Sequence, residues 1–539
     1  MENKGSNYNN NKRSNNNHFW ITLAILSAIA VVVEYAETML FPAIPDIINN
    51  FNINYDVSSW ILSGYLITAA VMAPIAGKLS DTYGKKKVLL IIMTIFVVSI
   101  TAAGFSINIS FLIASRIIQG VGLSMFIIAL SILQSEVPKE KYALANGILA
   151  SLYFSGSSIG LILGGSIVHY FDWRLTFFSL LPFLGILYFV VVKFLKIEKE
   201  EEQEEKNQTT ESKKLESSYS NSIDNNNNEN IKIKKENNRP YSYLPKKDKI
   251  DIKGALALVS TITFSLIALS YLEIGEKDTT INSPVNISIF LVLLIMSAIS
   301  LILFIRFEKK STAPLIDLYL ITNRTIFSTV ITFMIMGFTM FMVYQTIPIL
   351  VRTPIPIGLG GNALTSSMIL LPFTIIFLVL SPFVSKIITK LGNLKPFIIA
   401  SIISFLGFVC IYFLHTNEIQ IMISLGIISI GLALINTIAM NMILLLTPKQ
   451  FGVVIGIVQV FMFTGMAIGP VISSLYLQSY QTTICNEQEC SLVPSSNAFN
   501  LIFLAAAMAS TVFIIIGFIL IKSIPANIAN PSSSTLTSI

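Results

Sequence analysis

Three charged side chains stand inside otherwise apolar runs of this chain. Glu34 and Glu37 lie in the run that opens at Phe19, and Arg116 lies in the run that opens near Ser110. A charge at bilayer depth costs at least about 2.5–3.5 kcal/mol on insertion scales, so such a residue normally has a partner and a task. Two carboxyls and a guanidinium in an apolar medium are suited to binding and releasing a proton. Protonation removes a buried charge and so changes the relative stability of two conformations. Glu34 and Glu37 are one turn apart on one helix face. Counted from the ends of their runs, Arg116 lies about 9 Å and Glu37 about 6 Å from the same membrane surface, which makes Glu37 the expected partner of Arg116. Glu37 is the first candidate for carrying the proton and Glu34 the second. A static ion pair that merely orients two helices is the plainer alternative.

No other constellation offers covalent or metal chemistry. His18, His169 and His415 lie at run ends or in the tail, Cys410 is mid-run, and Cys485 and Cys490 share one loop. None has metal-ligand spacing, no carboxylate–histidine or Cys–His arrangement lies near a membrane face, and no Gly-x4-Gly-Lys-Ser/Thr loop cradles a phosphate. The expectation is a protein that is not an enzyme, with no catalytic residues, no metal and no cofactor.

The elements that must position these charges are membrane helices. Hydrophobic residues make up 53% of the chain and charged ones 12%, with a mean hydropathy of +0.71, and a soluble domain cannot hide that much apolar surface. Each spanning helix needs about 20 apolar residues. The runs place spans near 19–41, 59–77, 88–106, 110–134, 142–168, 173–194, 253–273, 286–306, 325–350, 362–385, 396–414, 419–446, 452–478 and 498–521. The six spans after residue 325 contain no Asp, Glu, His, Lys or Arg. The first run is too long for a secretory signal and lacks a small-residue cleavage site, so it is read as a retained span.

Lys and Arg are partitioned between alternate loops. Lys78, Lys85 to Lys87, Lys139, Lys141, Arg306, Lys309, Lys310, Arg324, Lys386, Lys390, Lys395 and Lys449 fall on one side, and only Arg174, Lys277 and Arg352 on the other. By the positive-inside rule both termini are cytoplasmic and the protein is a multi-pass protein of the cell membrane. The net charge of +6 follows membrane sidedness and does not imply nucleic acid. Cys485 and Cys490 then face outward, open to a disulfide or to two free thiols.

The chain repeats itself. Pro74 and Gly84 return 308 residues later as Pro382 and Gly392, with Lys395 in the place of Lys87. Gly156-x3-Gly160-x3-Gly164-Gly165 returns 309 residues later as Gly465-x3-Gly469-Pro470-x2-Ser473-Ser474. The repeats fall on spans one to six and nine to fourteen, so spans seven and eight are an insertion. The expected division is a disordered cytoplasmic tail (1–18), an N-terminal six-helix bundle (19–194), a disordered cytoplasmic linker (195–250), two inserted helices (251–310), a C-terminal six-helix bundle (311–522) and a cytoplasmic tail (523–539). The linker opens acidic at Glu198 to Glu205 and closes basic at Lys232 to Lys249, a composition that cannot bury a core. A duplicated bundle whose halves rock about a central site is the architecture of secondary transport.

Five motifs lie in register with this frame. Gly77-x-Leu79-x-Asp81-x2-Gly84-Lys85-Lys86 follows the second span and resembles the signature loop of the major facilitator superfamily. Arg116-x2-Gln119-Gly120-x-Gly122 on the fourth span resembles that superfamily's intramembrane arginine motif. The fifth-span glycines Gly156, Gly160, Gly164 and Gly165 resemble its antiporter motif. Trp173-Arg174-x2-Phe177-x4-Pro182 and Asp251-x2-Gly254 resemble its fourteen-helix drug:proton antiporters. Thr82, Leu161 and Ala36 stand where the family has a basic residue, a proline and an aspartate. The resemblance implies two pseudo-symmetric six-helix bundles plus two inserted helices, and proton-driven export of amphipathic or cationic small molecules.

It further implies that Asp81 meets the N-terminus of span thirteen, near Lys449 to Gly452, where a carboxylate interacts favourably with the helix dipole and latches the cytoplasmic side. A local turn cap is the plainer reading. The glycine ladder allows close helix contact, which static packing alone also explains. On span nine, Phe338, Met340, Met342 and Tyr344, with Gln345 as the polar exception, form a candidate wall for varied apolar shapes; Asn436 adds a hydrogen-bonding group. Lipid contact or core packing is the alternative for any one of them. The expected partners are small molecules, protons and the bilayer, with no nucleic acid, and the protein is expected to be monomeric. The runner-up is a nutrient or metabolite symporter of the same fold, from which the sign of proton flux separates it. A non-transporting sensor is a further alternative, excluded by transport in proteoliposomes.

Overall fold

The computed structural model describes residues 3–137, 139–195, 251–271, 284–311, 314–316, 318–447, 451–485 and 490–523. Most of the expected linker, from residue 196 to 250, and the C-terminal tail from 524 fall outside them. Hydrocarbon offers no water to backbone amides, so apolar runs must satisfy their hydrogen bonds internally, as helices. Among the described residues fourteen helical segments are long and apolar enough to cross a membrane: Phe19–Phe51, Tyr55–Tyr83, Lys85–Gly104, Ile109–Glu136, Gly147–Tyr170, Arg174–Phe194, Ile252–Ser270, Ile287–Lys310, Arg324–Arg352, Ala363–Ser381, Leu394–Phe413, Glu418–Leu446, Val454–Ser479 and Ser496–Lys522. They correspond one for one with the expected spans and are numbered 1–14.

The repeat is visible in the helix ends. Asn108 caps span 4 by accepting from the Phe111 amide (2.8 Å), and Asn417, 309 residues on, caps span 12 through the Gln420 amide (3.0 Å). Gly84 and Gly392 turn the chain into spans 3 and 11 with φ of +93° and +76°, a region that side chains disfavour. Spans 1 and 4 are broken. After Thr38 the chain passes through a 3₁₀ turn, Phe41–Ala43, into a short helix, Ile44–Phe51. Pro42 and Pro45 account for the break, because each lacks an N–H and crowds the preceding turn. The run read as ending at residue 41 therefore continues in a short amphipathic helix bearing Asp46. In span 4, Gly120–Leu123 tightens to 3₁₀ where Gly120 lies against the Tyr65 carbonyl and Gly122 against the Phe96 ring.

Packing follows the duplication. In the first half, span 1 packs on spans 4, 5 and 6, span 2 on span 4, and span 3 on spans 4 and 6. The second half repeats the pattern, with span 9 on spans 12, 13 and 14, span 10 on 12, and span 11 on 12 and 14. The halves meet along two seams, span 2 against span 13 and span 5 against span 10, which the repeat exchanges for one another. The inserted pair sits on one seam only: span 7 packs on spans 2, 13 and 8.

Asp251 caps span 7 by accepting from the Gly254 amide (2.8 Å). The buried Glu308 carboxylate packs beside Gly254 and accepts from the Leu315 amide (2.9 Å), tying the insertion to the chain entering the second half. Between spans 13 and 14 a two-stranded hairpin, β1 (Gln481–Cys485) and β2 (Cys490–Pro494), sets Cys485 opposite Cys490 in register.

Candidate functional site

The intramembrane charges converge on the first half's side of the halves' interface. Glu34 and Glu37, on one face of span 1, are both 2% exposed. Tyr153 on span 5, and Ser157 one turn further along, lie beside Glu34 within its electrostatic reach. The two carboxyls are themselves close enough to hydrogen-bond. A hydrogen bond between carboxyls requires that one of them carry a proton.

Arg116 is fully buried. Its Nε donates to the Ile61 carbonyl (3.2 Å), one Nη donates to Gln119 Oε1 (2.9 Å), and its face lies 4.0 Å from the centre of the Tyr65 ring. Tyr65 and Glu37 both lie within its electrostatic reach. The guanidinium is thus anchored by a carbonyl, an amide and a ring; among the described residues it makes no ion pair with Glu37. The fourth-span motif explains this placement: Gln119 holds the guanidinium, and Gly120 lets span 4 approach the backbone of Tyr65. Several polar atoms of the cluster have no hydrogen-bond partner among the described residues: Glu34 Oε2, Glu37 Oε2, the Tyr65 and Tyr344 hydroxyls and the second Nη of Arg116. Unsatisfied groups at such depth are costly and suit a site that exchanges a proton or a polar ligand group.

The glycine motif positions span 1. Side chains at Gly156, Gly160 and Gly164 would run into the backbone or side chains of Val31, Tyr35, Thr38 and Met39, so spans 1 and 5 touch at backbone distance beside both carboxyls. Gly165 faces Ser367 and Ala363 of span 10 instead. Gly465 and Gly469 repeat the arrangement in the second half, against the carbonyls of Met334 and Phe338 on span 9, and Pro470 follows within span 13.

Span 9 supplies the opposite wall unevenly. Tyr344 is fully buried and lies within electrostatic reach of both carboxyls; it stacks on Phe41 of span 1, with ring centres 4.4 Å apart and planes 19° apart. Gln345 reaches Ser58 on span 2 (3.4 Å). Met340 and Met342 are buried, and the Met342 carbonyl accepts from Ser473 of span 13 (3.4 Å), whereas Phe338 and Asn436 are half-buried. Phe341 adds an edge-on contact to Phe41 (5.6 Å). Beyond this aromatic plug Arg352 forms a bidentate ion pair with Asp46, at 2.6 and 2.8 Å, joining the halves. The carboxyl cluster is thus covered from the Asp46 end.

At the other end Gly77 has open space around it, Leu79 is half-buried and Asp81 is exposed. Lys85 reaches the Ser131 carbonyl (3.4 Å), and Lys86 donates to the carbonyls of Val192 (2.9 Å) and Leu195 (2.7 Å) at the end of span 6. Of the partner expected for Asp81, residues 448–450 lie outside those described. Sequence reasoning did not single out Tyr65, Tyr153, Ser157 or Asp46. The available signal for Tyr153 and Ser157 was their position on the glycine face of span 5; for Asp46 it was an acid just beyond the first run, at the end where Arg352 is one of few basic residues.

Comparison with known proteins agrees with this geometry. Multidrug resistance protein 3 of Bacillus subtilis (strain 168) is 24% identical over 387 residues, covering 72% of this chain and 64% of the relative, so the chain spans a little under two thirds of that relative's length. Multidrug resistance protein Stp of Mycobacterium tuberculosis (strain CDC 1551 / Oshkosh) is 23% identical over 435 residues, 79% of this chain and 70% of the relative. The crystal structure of the human organic anion transporter MFSD10 (TETRAN) shares the fold at a TM-score of 0.57 and 12% identity, covering 93% of this chain and 99% of that one. A family model described as Major Facilitator Superfamily matches residues 26–417 and 329–537. With duplicated six-helix bundles, an inserted pair and motifs on the expected spans, the chain belongs to the Major Facilitator Superfamily of transporters.

Proposed function

We propose that this transporter exports amphipathic, including cationic, small molecules in exchange for protons, working as a monomer in the cell membrane by alternating access. The observation that carries the coupling is the Glu34–Glu37 carboxyl pair, buried at the halves' interface with Tyr153, Tyr344 and Arg116 around it. A pair that holds one proton between two carboxyls changes its net charge when that proton leaves, and so changes which packing of the halves is stable. Tyr344, Phe41 and the span 9 wall offer aromatic and thioether surface to apolar ligands, while a carboxylate offers a counter-charge to a cation. The multidrug resistance proteins among the relatives support this substrate class.

The loop charges support cytoplasmic termini, which puts the Asp46 end outside and the Asp81 loop inside. Asp81 is then the acidic member of a cytoplasmic latch at the start of span 13. The 1–18 and 523–539 segments act as tails and 195–250 as a tether between halves. The test is reconstitution into vesicles with a pH-sensitive dye. Addition of an exported compound on the cytoplasmic side should move protons opposite to the compound. Proton movement in the same direction as substrate would replace export by symport.

A further inference from the structure

On the outer face of the first half, away from both seams, a groove of ≈ 470 Å³ runs between spans 3 and 6. Its lining residues are Lys86, Lys87, Leu90, Ile91 and Thr94 of span 3 and Tyr188 of span 6. From Lys87 to Thr94 it descends ~10 Å into the bilayer, at 1.5 Å per helical residue. The helix faces flanking it are apolar and exposed: Ile91 and Val98 on span 3, Ile186 and Phe189 on span 6. In a membrane those faces contact lipid, so whatever fills the groove enters from the bilayer.

The chemistry changes along its length. The inner part offers Leu90, Ile91 and the Tyr188 ring, and the mouth offers cations. Lys86 is held there by its bonds to the Val192 and Leu195 carbonyls at the C-terminal end of span 6. Lys87 is exposed and has no hydrogen-bond or ion-pair partner among the described residues. Lys193, in the last turn of span 6, lies over the Phe189 and Phe194 rings at 5.6 and 5.4 Å, which keeps its ammonium at the same level. Three lysines above an apolar slot match a molecule with an anionic head and a hydrocarbon tail. Juxtamembrane cations attract anionic lipid at about 1 kcal/mol each, and an apolar slot adds the localisation that a diffuse patch lacks.

We propose that the groove between spans 3 and 6 is a binding site for a single anionic phospholipid, its headgroup phosphate at Lys87, Lys193 and Lys86 and its acyl chain along Leu90, Ile91 and Thr94. Spans 3 and 6 pack on each other within the first half and not across a seam, so a lipid there moves with that half. The bound lipid braces the turn at Gly84, where the signature loop enters span 3.

The test uses the full chain in neutral nanodiscs, titrated with spin-labelled phosphatidylglycerol, with spin-labelled phosphatidylcholine as control. Saturable binding of one phosphatidylglycerol is expected, with no saturable binding of phosphatidylcholine and no displacement by millimolar inorganic phosphate. Lys87→Gln and Lys193→Gln should each weaken it about fivefold, the loss of one lysine near the surface. Thr94→Trp, which fills the slot and leaves all three lysines, should abolish the saturable component; Ile91→Trp is the substitute if Thr94→Trp does not elute as a monodisperse helical protein. Wild-type binding by the tryptophan variant would reduce the site to a diffuse cationic patch. Equal competition by inorganic phosphate would make it a free-anion site. Either result, or no saturable binding, overturns the proposal.

Discussion

At the residue scale, the central arrangement is two carboxyls that face each other while a guanidinium stands by without pairing to either. Glu37→Gln should abolish gradient-driven export while leaving substrate binding measurable, since an amide keeps the shape and hydrogen bonds but takes up no proton. Equilibrium binding alongside flux checks this, and full exchange in both Glu37→Gln and Glu34→Gln would remove the pair from the mechanism. Arg116→Ala should depress transport of every compound alike, because it leaves Gln119, the Ile61 carbonyl and the Tyr65 face without their shared cation. Phe338→Ala, by contrast, should reorder the preferred compounds, since reshaping an apolar wall is worth about 1–3 kcal/mol, different for each ligand. A compound panel separates the two patterns. Charge at depth made Glu34, Glu37 and Arg116 legible in the sequence. The tyrosines around them were not, because a Tyr in a membrane run reads equally as an interfacial or a core side chain until its neighbours are known.

At the scale of elements, helix number and repeat were legible because hydrocarbon admits few spanning structures and spacing survives where residue identity drifts. The Gly84/Gly392 turns and the Asn108/Asn417 caps carry the 308- to 309-residue offset into three dimensions. The break after Thr38 was less legible, since Pro42 and Pro45 read equally well as the end of a span. The fifth-span glycines yield a direct test. Gly160→Val should collide with the Thr38 side chain and Tyr35 backbone and destabilise the protein by about 1–3 kcal/mol, while Gly147→Ala and Gly185→Ala, which have open space, should be near neutral. Thermal melts in detergent distinguish these, and equal melts would detach the motif from packing. At the Asp81 loop, Asp81→Asn should weaken a contact with the span 13 dipole, so that cysteines introduced at 78–82 and 449–452 become accessible together. Unchanged accessibility would leave Asp81 a local turn residue.

For the whole molecule, an ion pair and an aromatic plug span the halves at the Asp46 end. Asp46 and Arg352 are each less than a third exposed, and a bidentate pair in that setting contributes on the order of 1 kcal/mol. Asp46→Asn should therefore shift the population toward opening at that end by roughly fivefold, and the swap Asp46→Arg with Arg352→Asp should restore it. Spin-label distances across the Asp46 ends of spans 1 and 9 read this directly, and a swap that restores nothing would reduce the pair to surface decoration. The central claim is that proton and substrate are exchanged through the carboxyl pair. Its most direct test is proton release on substrate addition to proteoliposomes, with wild type and Glu37→Gln compared at equal substrate occupancy. Proton movement opposite to substrate in the wild type, and none in Glu37→Gln, is the predicted result; equal proton movement in both would contradict it.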